Sequence, residues 1–324
     1  MTRAIRFART GGPEVLTLEE ILLPEPKAGE ALVRHHAIGV NFIDTYQRSG
    51  LYPVPLPSGL GSEAAGVVER VGEGVTSVQV GQRVAYAVSG APAAYSEARV
   101  LSAERLIPLP DDISDEVAAA SLLKGMTAEF LIHRTFPVAR GQTVLWHAAA
   151  GGVGLLACQW LNLLGARVIG TVGSDEKAEL ARRSGCHETI VYTRENFPKR
   201  VRELTDGHGV SVVYDSVGKS TFADSLDCLA PRGMLVSFGN ASGKPDPLDI
   251  LQLSQKGSLY VTRPTLFHYV ATREELLQSA DALFRALRGG LHVTIGQRFP
   301  LAEAGAAHRA LESRSTTGST LLTV

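Results

Sequence analysis

The sequence predicts an α/β protein in two parts, a β-rich unit followed by a doubly wound domain on a parallel sheet. Three observations carry that expectation. Short β-like runs parted by Gly/Pro turns fill the chain up to about residue 110. A regular alternation of strand and helix takes over from residue 143. Between the first such strand and helix lies a glycine-rich loop, Ala149-Ala150-Gly151-Gly152-Val153-Gly154.

The β-like runs are 4–8, 30–40, 66–71, 83–88 and 95–100, punctuated by Gly11-Gly12-Pro13, by Pro24 and Pro26, and by Gly72 and Gly74. Runs at this spacing build a compact barrel or sandwich. Ser114 is placed to cap a helix that begins over 117–123 and runs through 127–133, and Gly125 is expected to break it in two. Strands are then expected at 143–146, 167–171, 188–192, 210–215, 234–238 and 258–261. Helices fall at 152–164, 175–184, 195–205 and 219–229, and a short connection at 248–255 precedes the sixth strand. Continuous apolar strands such as Val144-Leu145-Trp146 suit a parallel sheet covered on both faces. Six strands so connected form a doubly wound dinucleotide domain. An amphipathic helix at 273–288, a β-like segment at 296–300, a helix at 301–311 and a strand at 319–324 follow, and these need not join the central sheet.

Bulk properties narrow the function. The 324 residues are enough for two domains, and a net charge of −1 gives no support for nucleic acid or an anionic membrane as partner. No run approaches the ~18 apolar residues of a membrane span, and the first residues are too short and too charged for a signal-peptide core. Cys158, Cys186 and Cys228 lie far apart, which fits buried small hydrophobes in a reducing cytoplasm better than a disulfide framework.

The loop after the first parallel strand fits the G-x-G-x-x-G fingerprint with Ala149 at the first glycine position. Gly151 lets a pyrophosphate approach the backbone, Gly154 lets helix pack on strand, and the helix N–H groups face the anion. Ala150, Gly152 and Val153 complete the expected cofactor loop. NAD-selective sites place an acid at the end of the second strand, where Gly173 and Ser174 stand here. Lys177, one turn on, supplies a cation for a 2′-phosphate, so the expected cofactor is NADPH. Further expected contacts lie at strand ends: Tyr192 near the adenine, and Val217, Phe238 and Gly239 at the carboxyl edge of the sheet.

Taken in order, the β-rich unit, the Ala-Ala-Gly-Gly-Val-Gly loop and the β/α tail resemble the medium-chain dehydrogenases/reductases, in particular the quinone oxidoreductases related to zeta-crystallin. Supporting segments are Gly39-Val-Asn41-Phe-Ile-Asp44-Thr-Tyr46, Gly61-Ser62-Glu63-Ala-Ala-Gly66, Lys124-Gly-Met-Thr127 and Leu311-Glu-Ser-Arg-Ser-Thr-Thr-Gly318. The resemblance implies a GroES-like catalytic domain from 1–124 and 267–324, a Rossmann domain at 125–266, and a homodimer. Zinc alcohol dehydrogenases of the same superfamily carry a Cys in the first of these segments and a His in Gly-His-Glu. Here the first segment has none, Ser62 takes the His position, and no cysteine precedes Cys158. A hydroxyl does not replace an imidazole as zinc ligand, so metal-free chemistry is expected.

Without a Lewis acid, suitable acceptors are already electrophilic: a quinone or a similar conjugated carbonyl compound. The resemblance places Asn41 beside the nicotinamide, Thr127 near its carboxamide and Arg263 at the active cleft. Asp44, Tyr46 and Tyr52 are the candidate substrate-side groups. Either tyrosine could donate to a carbonyl oxygen, stack on a flat ring, or serve as a rim aromatic. Asp44 reads as a helix cap or a partner for Arg263 before it reads as a general base. Glu63 is expected to be a buried carboxylate held by a basic group. Two rival functions stand beside quinone reduction: an alkenal or enoyl C=C reductase, and a nucleotide- or RNA-binding, crystallin-like protein.

Overall fold

A computed structural model describes residues 1–90 and 92–324. The chain packs as two units: Met1–Met126 with Val270–Arg285 and Val293–Val324, and Thr127–Tyr269 with Ala286–His292. The first eight strands are β1 (Thr2–Phe7), β2 (Thr17–Ile21), β3 (Glu30–Val40), β4 (Ser58–Gly59), β5 (Glu63–Val71), β6 (Arg83–Ala87), β7 (Ala98–Ser102) and β8 (Ile107–Pro108).

The second unit holds β9 (Thr143–Trp146), β10 (Arg167–Val172), β11 (Glu188–Val191), β12 (Val210–Asp215), β13 (Leu229–Ser237) and β14 (Tyr260–Thr262). These form one parallel sheet in the order β11-β10-β9-β12-β13-β14. The order reverses between β9 and β12, the switch point where such sheets take ligands. Leu145, Ile169, Ile190, Val213 and Leu235 are fully buried in the core along these strands. That is why the strands read as unbroken apolar runs.

The first unit is completed by β15 (Ile295–Pro300) and β16 (Ser319–Thr323), which belong to its sheet and not to the parallel one. Its main sheet runs β15-β16-β3-β5-β6-β8 with β7 on β3, and a smaller sheet runs β2-β1-β4. A core of Ile5, Val33, Ile38, Leu60, Val84, Tyr86, Tyr95 and Leu322 lies between them. The fold class is α/β, with a GroES-like unit and a six-stranded Rossmann sheet.

Several local expectations need correction. Gly125 does not break a helix: Asp115–Phe130 is continuous through it. A Cβ at Gly125 would lie 2.4 Å from Leu283 Cδ1, so the glycine serves close packing. Ser114 does cap this helix, accepting from the Val117 N–H at 3.2 Å. Tyr95 lies outside its expected strand, since β7 begins only at Ala98 and the tyrosine ring is buried in the core. The helix expected at 195–205 starts at Phe197, because Asn196 caps it by accepting from Lys199 N–H at 2.9 Å. The helix expected at 219–229 is only Phe222–Asp227, and β13 begins earlier than expected, at Leu229.

Candidate active site

In the second unit, the ends of five parallel strands and the loops after them bring the expected contacts from Ala150 to Gly239 to one edge of the sheet; Asn41 and Thr127, also expected at the cofactor, lie elsewhere. Gly151 caps helix Gly152–Leu163 in extended conformation, with no side-chain cap and no acid in the first turn. The first backbone N–H groups of that helix are therefore left for an anion. A Cβ on Gly151 would meet only the Ala148 carbonyl, at 3.2 Å, so open space faces the loop. A Cβ on Gly154 would strike Ala148 O at 2.4 Å and Ala149 O at 2.7 Å. Gly151 keeps the approach open and Gly154 closes the packing. Ala149 is tolerated at the first glycine position because Gly170 on β10 makes room: a Cβ there would sit 2.7 Å from that of Ala149.

His147 was not singled out by the sequence, yet it braces this loop. It is buried, with Nδ1 2.8 Å from Thr171 Oγ1 and Nε2 2.9 Å from Ser225 Oγ. Ser225 gives its own hydrogen to Thr221 O, so Nε2–H donates to Ser225 and Nδ1 accepts from Thr171. Burial pushes the imidazole pKa down, which keeps this neutral form. Asp215, also missed, ends β12 and accepts from Val217 N–H, Gly218 N–H and Thr221 Oγ. A single carboxylate thereby shapes the loop that carries Val217.

Gly173, Ser174, Lys177 and Tyr192 come together. The Tyr192 hydroxyl lies 3.1 Å from the position of a Cβ on Gly173. Ser174 caps helix Asp175–Arg183, its Oγ accepting from Lys177 N–H at 3.4 Å. Arg194 makes a two-pronged bond to Asp175 beside them. Phe238 packs at 5.7 Å, centroid to centroid, on Trp146. At Gly239 a Cβ would lie 2.3 Å from Ser216 O, which excludes any other residue. Arg263 donates from Nη1 to Ser237 Oγ and Gly239 O, both at 2.9 Å. It stands on the same sheet edge. Thr127 is half-buried within helix Asp115–Phe130.

In the first unit, Asn41 opens helix Phe42–Ser49 and is held by two carboxylates. Its backbone N–H donates to Asp44 Oδ2 at 2.9 Å and its Nδ2 to Glu63 Oε1 at 2.8 Å. Glu63 also accepts from Lys124 Nζ and from Leu123 N–H, each at 2.7 Å. Glu63 is the buried, base-held carboxylate expected. Asp44 is fully buried and closes the helix start as the third residue of a reciprocal cap whose N-cap is Asn41. Its partners are Asn41, Ser62 and Tyr95 rather than Arg263. Burial, with the Glu63 charge adding to it, lifts the Asp44 carboxyl to about 7; Asn41 N–H, the Tyr95 hydroxyl and Lys124 oppose the rise. Tyr46 and Tyr52 meet edge to face at 5.2 Å.

Residues 27–111 match the family described as alcohol dehydrogenase GroES-like domain, and residues 152–282 the one described as zinc-binding dehydrogenase. The chain is 58% identical over 324 residues to the quinone oxidoreductase of Pseudomonas aeruginosa, covering 99% of both. The chain belongs to the quinone oxidoreductase family of medium-chain dehydrogenases/reductases. The chain is also 48% identical to the 2-haloacrylate reductase of Burkholderia sp., with 99% of each covered. Among solved structures, Escherichia coli quinone oxidoreductase complexed with NADPH superposes with a TM-score of 0.97. It is 49% identical, with 99% of this chain and 100% of that one covered. In this chain Ser62 contributes a hydroxyl that donates to Asp44 Oδ1 at 3.4 Å. Among the described residues no three His, Cys, Asp or Glu side chains converge as a metal site, and no helix is long and apolar enough to cross a membrane.

Proposed function

We propose that this protein is an NADPH:quinone oxidoreductase of the cytoplasm, working as a homodimer. The observation that carries the reading is full-length likeness, 58% identity over 324 residues, to a quinone oxidoreductase. When bound, NADPH supplies two electrons and one hydrogen to an electrophilic carbonyl acceptor.

Gly151, Gly152, Val153 and Gly154, with Ala150, hold the pyrophosphate through backbone N–H groups at the helix start. Ser174 and Lys177 take the 2′-phosphate, Gly173 leaves it room, and Tyr192 covers the adenine. Val217, Phe238 and Gly239 line the path toward the nicotinamide. Asn41 and Thr127 orient that ring. Tyr46 and Tyr52 receive a flat acceptor, one ring by stacking and one hydroxyl by donation. Asp44 supplies acid function, and Arg263 adds positive charge for a developing oxyanion. Catalysis is assigned to 1–124 and 267–324, and the cofactor to 125–266.

The dimer reading is supported by the position of β14 at the end of its sheet, with no further strand beside it among the described residues. Tyr260 on it is 58% exposed. Light scattering of the purified protein measures the assembly directly. The cytoplasmic reading is supported by Cys158, Cys186 and Cys228, all buried and free.

The deciding experiment follows NADPH oxidation with 1,4-benzoquinone, with 2-hexenal and with crotonyl thioester in parallel. Turnover of the quinone is expected. Consumption of the alkenes alone would move the assignment to C=C reduction, a reading supported by the likeness to 2-haloacrylate reductase. A gel shift at physiological salt tests RNA binding, against which the net charge of −1 argues.

A further inference from the structure

A line of side chains reaches Asp44 from helix Ala304–Glu312, all within the first unit; Glu312 at its outer end is exposed, and Arg48, His308 and Tyr95 are buried. Arg48 donates from Nη1 to Glu312 Oε2 at 3.0 Å and from Nε to Gly11 O at 3.1 Å. The same Nη1 lies 3.2 Å from His308 Nδ1. A guanidinium can only donate, so His308 Nδ1 must accept, and the neutral ring carries its hydrogen on Nε2. Nε2 is 3.1 Å from the Tyr95 oxygen, so that oxygen accepts. The phenol hydrogen is then left for Asp44 Oδ2, 3.0 Å away. Oδ2 also accepts the Asn41 N–H. Every bond in the line points one way, and Oδ2 is committed as an acceptor. Among the described residues Oδ1 meets only Ser62 Oγ, at 3.4 Å.

We propose that Tyr95 and His308 are positioning residues that pin Asp44 Oδ2 as an acceptor and make Oδ1, beside Ser62, the atom that holds and releases the proton used in the reduction. The inference rests on the quinone reading for the consumer of that proton. With Asp44 ionised, Ser62 donates to Oδ1. With Asp44 neutral, the direction reverses and the Ser62 hydrogen is free for a substrate oxygen. The transfer then balances without electrons moving in the protein. The Oδ1–H bond breaks as a new bond forms to Ser62 Oγ, the original Ser62 O–H breaks, and an O–H forms on the reduced substrate. Asp44 is left a carboxylate, stabilised by the Tyr95 and Asn41 donors, and regains its proton from water between turnovers.

The surroundings suit this role. The groups acting on Asp44 are Glu63, which favours its neutral form, and Lys124, Tyr95 and the Asn41 N–H, which favour its anion. The resulting midpoint of about 7 lets both forms be populated near neutrality. His308 is held neutral by burial and then by the Arg48 charge, with its pKa pushed down to about 3. A neutral ring at that point is what the one-way line needs.

Nitrogen NMR of histidine-labelled wild-type protein tests the line without any variant. The expected result is an Nε2–H signal for His308 that does not titrate across about pH 5 to 8. An Nδ1–H tautomer or an imidazolium overturns the proposal. In kinetics, kcat/KM for benzoquinone is expected to fall as pH rises through about 7. Tyr95→Phe removes a donor to the anion and moves that inflection upward. His308→Gln, whose amide both accepts from Arg48 and donates to Tyr95, leaves it in place. Ser62→Ala lowers kcat by roughly 10²-fold with KM little changed, and Ser62→Thr restores it. An inflection unmoved in folded Tyr95→Phe overturns the proposal. Infrared titration of Asp44, read against Asp44→Asn, needs no substrate. A correct tautomer and titration without quinone turnover would therefore sink the substrate reading alone.

Discussion

Glu63 and Lys124 form an ion pair with side chains 0% and 6% exposed, Oε1 to Nζ 2.7 Å. The pair ties β5 to helix Asp115–Phe130 and fixes the Asn41 amide through the shared Oε1. Lys124→Met leaves a buried carboxylate without its cation, which costs on the order of 3–5 kcal/mol. The urea unfolding midpoint should drop accordingly. Replacing both residues together by apolar ones should recover much of that loss. A single variant as stable as wild type would show that the carboxylate is not held by charge.

The two fingerprint glycines should separate in their effects. Gly154→Ala forces a Cβ against two carbonyl oxygens of the loop, at 2.4 and 2.7 Å, and should cost stability as well as cofactor affinity. Overpacking of this kind costs about 1–3 kcal/mol. Gly151→Ala meets one atom at 3.2 Å, so the folded protein should tolerate it. In the proposed placement of the cofactor, its methyl group enters the space of the pyrophosphate. NADPH binding by fluorescence should weaken at least about tenfold while the melting temperature barely moves. Equal melting temperatures for the two variants would refute this division of labour.

Ser174 offers a clean test of cofactor choice. Asp is as good an N-cap as Ser, so Ser174→Asp keeps the helix start while adding negative charge beside Lys177. The ratio of NADPH to NADH affinity should fall sharply. Lys177→Ala should weaken NADPH by about 10- to 100-fold, the worth of a charged hydrogen bond, and leave NADH nearly unchanged. Equal losses for both cofactors would remove Lys177 from the 2′-phosphate site.

What the sequence made legible followed chain-local physics. The six parallel strands, the glycine loop and the Gly173–Ser174 strand end all announce themselves within a few residues, because periodicity and turn chemistry are local. Helix Phe42–Ser49 was not among the expected elements, although Asp44 read as a helix cap. It follows β3 directly with no Gly or Pro between, and its start is marked only by the Asn41–Asp44 reciprocal cap. Gly125 misled because a glycine that admits Leu283 looks, in sequence, like one that ends a helix. Tyr95 and His308 are separated by 213 positions, and no spacing rule could join them. The polar line to Asp44 exists only once both chain ends share a sheet.

His308, His35 and Asp44 each add to the pH dependence of stability, and their signs differ; buried His147 is shifted in the same direction as the other two histidines. His308 and His35 have folded pKa values lowered to about 3 and about 4 from 6.5, in both cases first by burial. Below pH 6.5 the unfolded chain binds protons that the fold refuses. Their stabilisation is complete above 6.5 and is lost as pH falls through those values. Asp44 is raised from 3.8 to about 7, so its contribution is present below 3.8 and is lost as pH rises through 7. Urea midpoints across pH should show His308→Gln flattening the acid limb and Asp44→Asn the neutral one. An acid limb unchanged by His308→Gln would assign the loss to other groups.

Gly125 and Leu283 should prove energetically coupled. Alanine in place of a mid-helix glycine gains about 1 kcal/mol in backbone terms. Here its Cβ would lie 2.4 and 2.7 Å from the two methyl carbons of Leu283, a side chain that is itself fully buried. Overpacking costs about 1–3 kcal/mol, so Gly125→Ala should be destabilising on balance. Leu283→Ala alone opens a cavity and should cost about 2–5 kcal/mol. In the Leu283→Ala background the obstruction is gone, so Gly125→Ala should turn stabilising, by helix propensity and by partial filling of the void. The change of sign between the two backgrounds is the readout, measured from urea unfolding of all four proteins. Strict additivity would mean that Leu283 rotates away at little cost, and that the glycine is held there for another reason.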